Sequence, residues 1–170
     1  MMRALARRLQ VAPNALYSHV TSKTALLDDL LDDLLASVPA PRADQADPVA
    51  GLTRLMTSTY AVLTAHPELV PYYLARQGAR GPHAVELGRL MDALLRAAGV
   101  SGPDTAAARR ALIVHAIGSA AFAAGAPPGA GQEQPLSPED SRQSFTRSLR
   151  WLLAGIVHHP HPAGRRARRR

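Results

Sequence analysis

Met2 to Lys23 reads MRALARRLQVAPNALYSHVTSK, and its apolar spacing decides the fold. Leu5, Ala6 and Leu9 recur at i, i+1 and i+4, which puts one apolar stripe on a first helix of about two turns. Gln10, Val11 and Ala12 break that period. Pro13 then opens a second helix, because the first helical position has no partner for an N–H in any case. Leu16 and Val20, four apart, face inward with Val11 and leave Asn14, Ala15, Tyr17, Ser18 and His19 outward. Arg3, Arg7, Arg8 and Lys23 surround the pair, and the stretch holds no acid. Two helices with a basic, hydrogen-bonding outer face suit a DNA-reading helix-turn-helix, in which cations meet phosphates and polar side chains reach base edges.

The pattern R-x-L-A-x-x-L-x-V-x-x-x-x-L-Y-x-H-V-x-x-K-x-x-L-L resembles the DNA-binding domain of the tetracycline-repressor (TetR) family. Leu5, Ala6, Leu9, Val11, Leu16, Tyr17, His19, Val20, Lys23, Leu26 and Leu27 stand at family positions. The resemblance implies that Arg3, Pro13, Asn14, Ala15 and Ser18 lie toward bases while Tyr17, His19 and Lys23 hold phosphates. Three departures accompany it. The family has another helix before this pair, whereas Met1 falls where the second helix would start. Gln10 stands where a turn glycine is usual, at a cost of order 1 kcal/mol. Ala12 occupies the N-cap, where losing Ser or Thr costs roughly 0.5–2 kcal/mol. Two helices this short do not persist alone. The expectation is a loosely held head with little amide protection, completed in the natural protein by roughly 20–30 upstream residues forming an amphipathic helix.

Bulk properties set the frame. A chain of 170 residues, rich in Ala and Leu and with 4% aromatics, favours helix over strand and can bury a sizeable core. The absence of cysteine excludes disulfides and thiolate chemistry and fits a cytoplasmic protein. No apolar run is long enough to span a membrane, and no h-region follows the basic start. The net charge of +7 sits at the two ends: four cations and no acid in residues 3–23, and five arginines in residues 165–170. The rest is an ordinary, slightly acidic body. A basic end suits nucleic acid.

Ser22 can cap the next helix, whose stripe comprises Leu26, Leu27, Leu30, Leu31, Leu34 and Leu35, with Asp28, Asp29, Asp32 and Asp33 on the opposite side. In the family the corresponding helix joins head to body and transmits the ligand signal. Residues 1–37 thus form a partial helix-turn-helix domain with its connecting helix. Residues 38–46, with Pro39 and Pro41, form a linker. The body, residues 47–158, starts at Asp47-Pro48, a capping residue and a first-position proline. Further helices are expected from Asp47 to His66, Glu68 to about Gln77, Pro82 to Ala98 with Gly99 as stop, Pro103 to Gly125, and Ser137 to Val157. No stretch alternates with period two, so no strand is assigned.

The segment ALIVHAIGSAAFAAG, residues 111–125, is small and apolar on nearly every face, which demands burial on every face. A second subunit is the natural cover, the alternative being a helix pair fully internal to a monomer. Two such helices from each chain make a four-helix homodimer interface, as in the family, with Ala120 and Ala121 on its small-residue face.

The tail HHPHPAGRRARRR lacks periodicity; residues 159–170 are expected to be disordered and add non-specific phosphate affinity at most. Its histidines preset no ligand geometry, so no metal is assigned, and no cofactor is expected. Nothing supports catalysis: there is no cysteine, no H-E-x-x-H and no Gly-rich phosphate loop before a helix. Tyr60, His66, Tyr72, Tyr73, Arg76, Gln77, Met91 and His115 are the polar or polarisable residues of otherwise apolar helices. Such residues orient a mostly apolar ligand in a cavity, although each serves packing equally well. The expected protein is an all-α, TetR-like, dimeric repressor, released by a small-molecule effector from a palindromic DNA operator. The alternative is a small-molecule-binding helical dimer without specific DNA binding. A small all-α enzyme is the third reading, which the missing site chemistry disfavours.

Overall fold

The computed structural model describes residues 22–44, 46–125 and 136–158, and these residues contain helices and no strand. The helices are α1 (Lys23–Ala36), α2 (Pro48–Ala65), a single 3-10 turn (Pro67–Leu69), α3 (Val70–Arg76), α4 (Pro82–Ala97), α5 (Pro103–Ala123) and α6 (Pro138–His158). The proposed head residues 1–21 and the basic tail lie outside the described residues.

Local chemistry sets the helix ends. The Ser22 hydroxyl accepts from Ala25 N–H at 3.0 Å to start α1, and the Asp47 carboxylate accepts from Ala50 N–H at 2.9 Å to start α2. Ser137 accepts from Asp140 N–H at 3.0 Å, with Glu139 and Asp140 in the first turn of α6. Gly99, at φ +92, stops α4: Val100 N–H returns to Leu95 carbonyl at 2.9 Å and Gly99 N–H to Arg96 carbonyl at 3.0 Å. The stretch expected as one helix after His66 is divided. His66 caps α2, Pro67–Leu69 forms the 3-10 turn, and α3 follows.

The core gathers around α5, which packs against α2, α3, α4 and α6, while α1 lies mainly on α4. Leu52, Leu55 and Leu63 from α2, Leu94 and Leu95 from α4, Leu112 and Ala116 from α5, and Phe145, Leu149 and Leu153 from α6 are buried together. The central position of α5 explains its small, apolar composition. Burial on every face, however, does not hold within the protomer: Val114 is 63% exposed and Phe122 76%, with Trp151 of α6 at 69%. Ala120 is 1% exposed and belongs to the protomer's own core, not to an outer association face.

Two neighbouring positions on α5 separate core from open face. Leu112→Ala is expected to lower stability by about 2–5 kcal/mol, whereas Val114→Ala, at a position exposed on the protomer, changes the protomer's own stability by no more than about 0.5 kcal/mol. Urea unfolding followed by circular dichroism measures both.

Candidate functional site

Three polar contacts join α1 to the body. The first is an ion pair between Asp28 and Arg76 of α3. Hydrogen bonding to Arg76 holds the Asp28 carboxyl below the usual carboxylate range, and the same bond holds Arg76 above its ordinary value. In the second, the Tyr73 hydroxyl donates to the Leu31 carbonyl. Burial, then the Asp32 charge, pushes the Tyr73 phenol up, so it remains a donor. The third is Asp32, 4% exposed, whose carboxylate accepts from His83 N–H at 3.0 Å and Ala84 N–H at 2.9 Å and lies 2.9 Å from His83 Nδ1.

Helix α4 requires this third contact. Its N-cap is Gly81, which has no capping side chain, and Pro82 has no N–H. The first two donors of the helix are therefore those of His83 and Ala84, and Asp32 takes both from another helix. Burial raises the Asp32 pKa, but the two backbone N–H groups and His83 outweigh it and leave the carboxyl below its ordinary value. A Cβ on Gly81 would stand 2.3–2.7 Å from Asp32 side-chain atoms, so glycine is what lets the carboxylate approach.

Behind these contacts a cavity of about 110 Å³ lies among α2, α4 and α5, closed by Leu35 of α1 and the turn at Gln77, Gly78 and Ala79. Tyr73, Gln77 and Met91, three of the sequence candidates, line it. The other five do not. Arg76 is committed to Asp28. Tyr72 is 39% exposed. His66, also exposed, lies with Nδ1 3.7 Å from Glu68. Tyr60 stacks on Phe145 with centroids 4.1 Å apart and lines a separate groove between α2, α5 and α6. His115 stacks on Phe145 at 5.1 Å, and its Nε2 lies 3.2 Å from Ser148 Oγ.

Of the DNA-facing candidates, Lys23 is exposed in the first turn of α1. Arg3, Pro13, Asn14, Ala15, Tyr17, Ser18 and His19 lie outside the described residues. Asp32 was not anticipated: the apolar pattern puts it on the solvent side, yet it is buried, while Leu30 is 44% exposed. Its signal is indirect. A helix opening with Gly81-Pro82 carries no cap of its own and must obtain one elsewhere. The cavity wall gave no signal, since Leu55, Met56, Leu87 and Ile117 look like any core residues in sequence.

No protein-family model matches the chain. A curated relative, an HTH-type transcriptional regulator from Saccharopolyspora erythraea, is 34% identical over 118 residues, which is 69% of this chain and 50% of the relative. The match thus spans about half the relative's length. Among solved structures, Mycobacterium smegmatis BioQ is 27% identical with a TM-score of 0.74, over 94% of this chain and 87% of that one. BioQ with its natural double-stranded DNA operator is 28% identical with a TM-score of 0.69, over 94% and 86%. The Streptomyces coelicolor TetR family protein ActR, in complex with actinorhodin, shares the fold at 21% identity and a TM-score of 0.76, over 95% and 88%. The all-α architecture, with α1 seated on the other helices, is shared with these solved structures. The chain is thus similar in sequence to an HTH-type transcriptional regulator over about half of that protein, and it shares its fold with solved TetR family proteins.

The depressed Asp32 pKa fixes a sign for stability against pH. Its contribution is fully present above the ordinary carboxyl value of about 4 and is lost as pH falls through the lower, folded-state value. Asp32→Asn is expected to flatten the acid limb of the stability profile. Asp32→Ala is expected to cost about 1–3 kcal/mol near neutral pH by leaving two helix donors unmet. Thermal unfolding between pH 3 and pH 7 checks both.

Proposed function

We propose that the chain is a cytoplasmic, homodimeric repressor that binds a palindromic DNA operator and is released from it by a small-molecule effector. Residues 1–37 form the DNA-binding head with its connecting helix, 47–158 the effector and dimerisation body, and 159–170 the basic tail. Arg3, Pro13, Asn14, Ala15 and Ser18 read bases, while Tyr17, His19 and Lys23 hold phosphates. BioQ, solved with its operator, and ActR, solved with actinorhodin, support the two halves of this reading.

The observation that carries it is the sharing of residues between cavity and connecting helix. Tyr73 lines the cavity and also bonds the backbone of α1. Gln77, in the same wall, directly follows Arg76, the partner of Asp28. A ligand that pushes this wall outward changes the seat of α1, and with it the spacing of two recognition helices over successive major grooves. Such a ligand shifts the equilibrium only by its differential affinity for the two seats.

The exposed apolar residues of α5 and α6, Phe122, Val114 and Trp151, support the dimer. Phe122→Arg is expected to leave the protomer folded and convert it to a monomer at micromolar concentration, because the dimer would have to bury an unpaired charge. Ala120→Arg, inside the protomer core, is expected to unfold it instead. Light scattering and circular dichroism separate the two, and an unmodified chain that already runs as a monomer refutes the interface.

The DNA contact is tested by binding titrations at several salt concentrations against operator variants. Lys23→Ala is expected to weaken binding to all sequences alike and reduce the salt slope by about one unit. Asn14→Ala is expected to relax preference at one base pair of each half-site. Equal loss on every operator variant with Asn14→Ala sinks its role as a base reader. No preference for any operator by the unaltered chain leaves the ligand-binding dimer in place of the repressor.

A further inference from the structure

The cavity among α2, α4 and α5, at about 110 Å³, is well below the ~300 Å³ from which sites for drug-sized ligands begin. Its wall is mostly Leu, Ile, Met, Ala and Gly, and among the described residues none that line it carries a charge. An ion would lose its hydration there with nothing to replace it. Three lining residues have hydrogen-bonding side chains. Thr59 gives its hydroxyl to the Leu55 carbonyl at 2.9 Å, and Tyr73 gives its own to the Leu31 carbonyl. Gln77 is exposed at the cavity's rim, and its side-chain amide makes no hydrogen bond to the described residues.

Gln77 is unusual in a second way. It sits at φ 56, ψ 41, in the left-handed region, where a side chain is strained and glycine is not. Among the described residues it is the one non-glycine with positive φ. The backbone there closes α3, with Gly78 N–H returning to the Tyr73 carbonyl at 2.8 Å. Glycine would close the helix without that cost, so whatever the glutamine contributes at this position comes from its side chain.

We infer that the cavity takes an uncharged, mostly apolar molecule about the size of one six-membered ring, whose single polar group meets the Gln77 amide at the cavity mouth. The inference rests on the effector reading above and narrows it to a chemical class. An apolar protein cavity of roughly 150 Å³ takes benzene; this one, at about 110 Å³, is smaller but open at its mouth, so a single ring is the upper bound on size. Gly88 supplies an independent probe of the wall: it lines the cavity, and a Cβ added there meets nothing nearer than the Arg109 side chain, at 3.9 Å.

Thermal unfolding of the full chain with toluene, benzyl alcohol, benzoate and benzylammonium tests this. Benzyl alcohol is expected to raise the midpoint by about 2–4 °C at about five times its Kd, toluene by less, and the two ions by nothing measurable. Gly88→Leu is expected to fill the cavity and abolish both neutral shifts. Gln77→Gly relieves the backbone, so the variant folds at least as well as the unaltered chain. It is expected to keep the toluene shift and bring the benzyl alcohol shift down to it. Ions that stabilise as much as benzyl alcohol overturn the inference, as do neutral probes that do nothing, or a shift that survives Gly88→Leu. A benzyl alcohol advantage that survives Gln77→Gly also overturns it. Operator affinity measured with the same probes reports separately on the effector reading. Neutral probes that bind the cavity without changing DNA affinity defeat that reading and leave the cavity's ligand class standing.

Discussion

The seat of α1 depends on one carboxylate. Asp32 is a charged residue taken almost wholly out of water, which is tolerable only because two backbone N–H groups and an imidazole surround it. The dependence runs both ways. Without Asp32, α4 starts on a glycine and a proline and leaves its first N–H groups without acceptors. Without the α4 N-terminus, Asp32 is a buried, unpaired charge. Gly81 completes the arrangement, because any Cβ there would occupy the volume of the carboxylate. An acid on α1 and the adjacent Gly81-Pro82 pair that opens α4, distant from it in sequence, therefore specify one another.

The other two contacts set the direction of the helix. Asp28, Leu31 and Asp32 fall at i, i+3 and i+4, one face of α1. They reach Arg76, Tyr73 and the start of α4 respectively. Two of these partners belong to α3, a helix of 7 residues, and the third opens α4 just beyond the turn between them. A helix held at three points along one face neither rolls nor slides without breaking a hydrogen bond. The wall of the cavity behind it, by contrast, is made of aliphatic side chains whose contacts are individually weak. In the proposed mechanism the soft wall admits the ligand and the polar contacts convert its volume into a discrete change of seat.

The sequence disclosed those parts of the fold that depend on neighbours in the chain. Ser22, Asp47 and Ser137 cap the helices they precede, Pro82 and Pro103 open theirs, and Gly99 ends α4. Each is a local event, written within three or four residues. Contacts made by distant elements were not legible. The stripe on α1 has six leucines spread over a wide arc, so periodicity alone did not tell which edge of it turns outward. Leu30 is exposed and Asp32 is buried because α4 and α3, not spacing, decide the helix's orientation. Similarly, the small residues of α5 signalled close packing without saying against what. Ala120 meets its own protomer, while Phe122, two residues on, faces outward. Of the eight ligand candidates, Tyr73, Gln77 and Met91 line one cavity. Polarity selected them, whereas most of that wall is apolar and reads as core.

Gln77 joins these levels. Its αL backbone is a local feature, costing about 1 kcal/mol relative to glycine. That conformation turns the chain out of α3 toward Gly81 and α4, and so helps set where Asp32 finds its donors. The same residue contributes its side chain to the cavity wall. This strained residue stands between the polar contacts that hold α1 and the apolar cavity. Relaxing it alters the closing turn of α3, and Arg76 and Tyr73, which hold α1, lie one and four residues before it. Movement at the cavity mouth therefore has a short covalent path to Arg76 and Tyr73, the two residues of α3 whose side chains hold α1. That path runs through backbone whose φ and ψ have few alternatives, so the coupling needs no long chain of side-chain contacts.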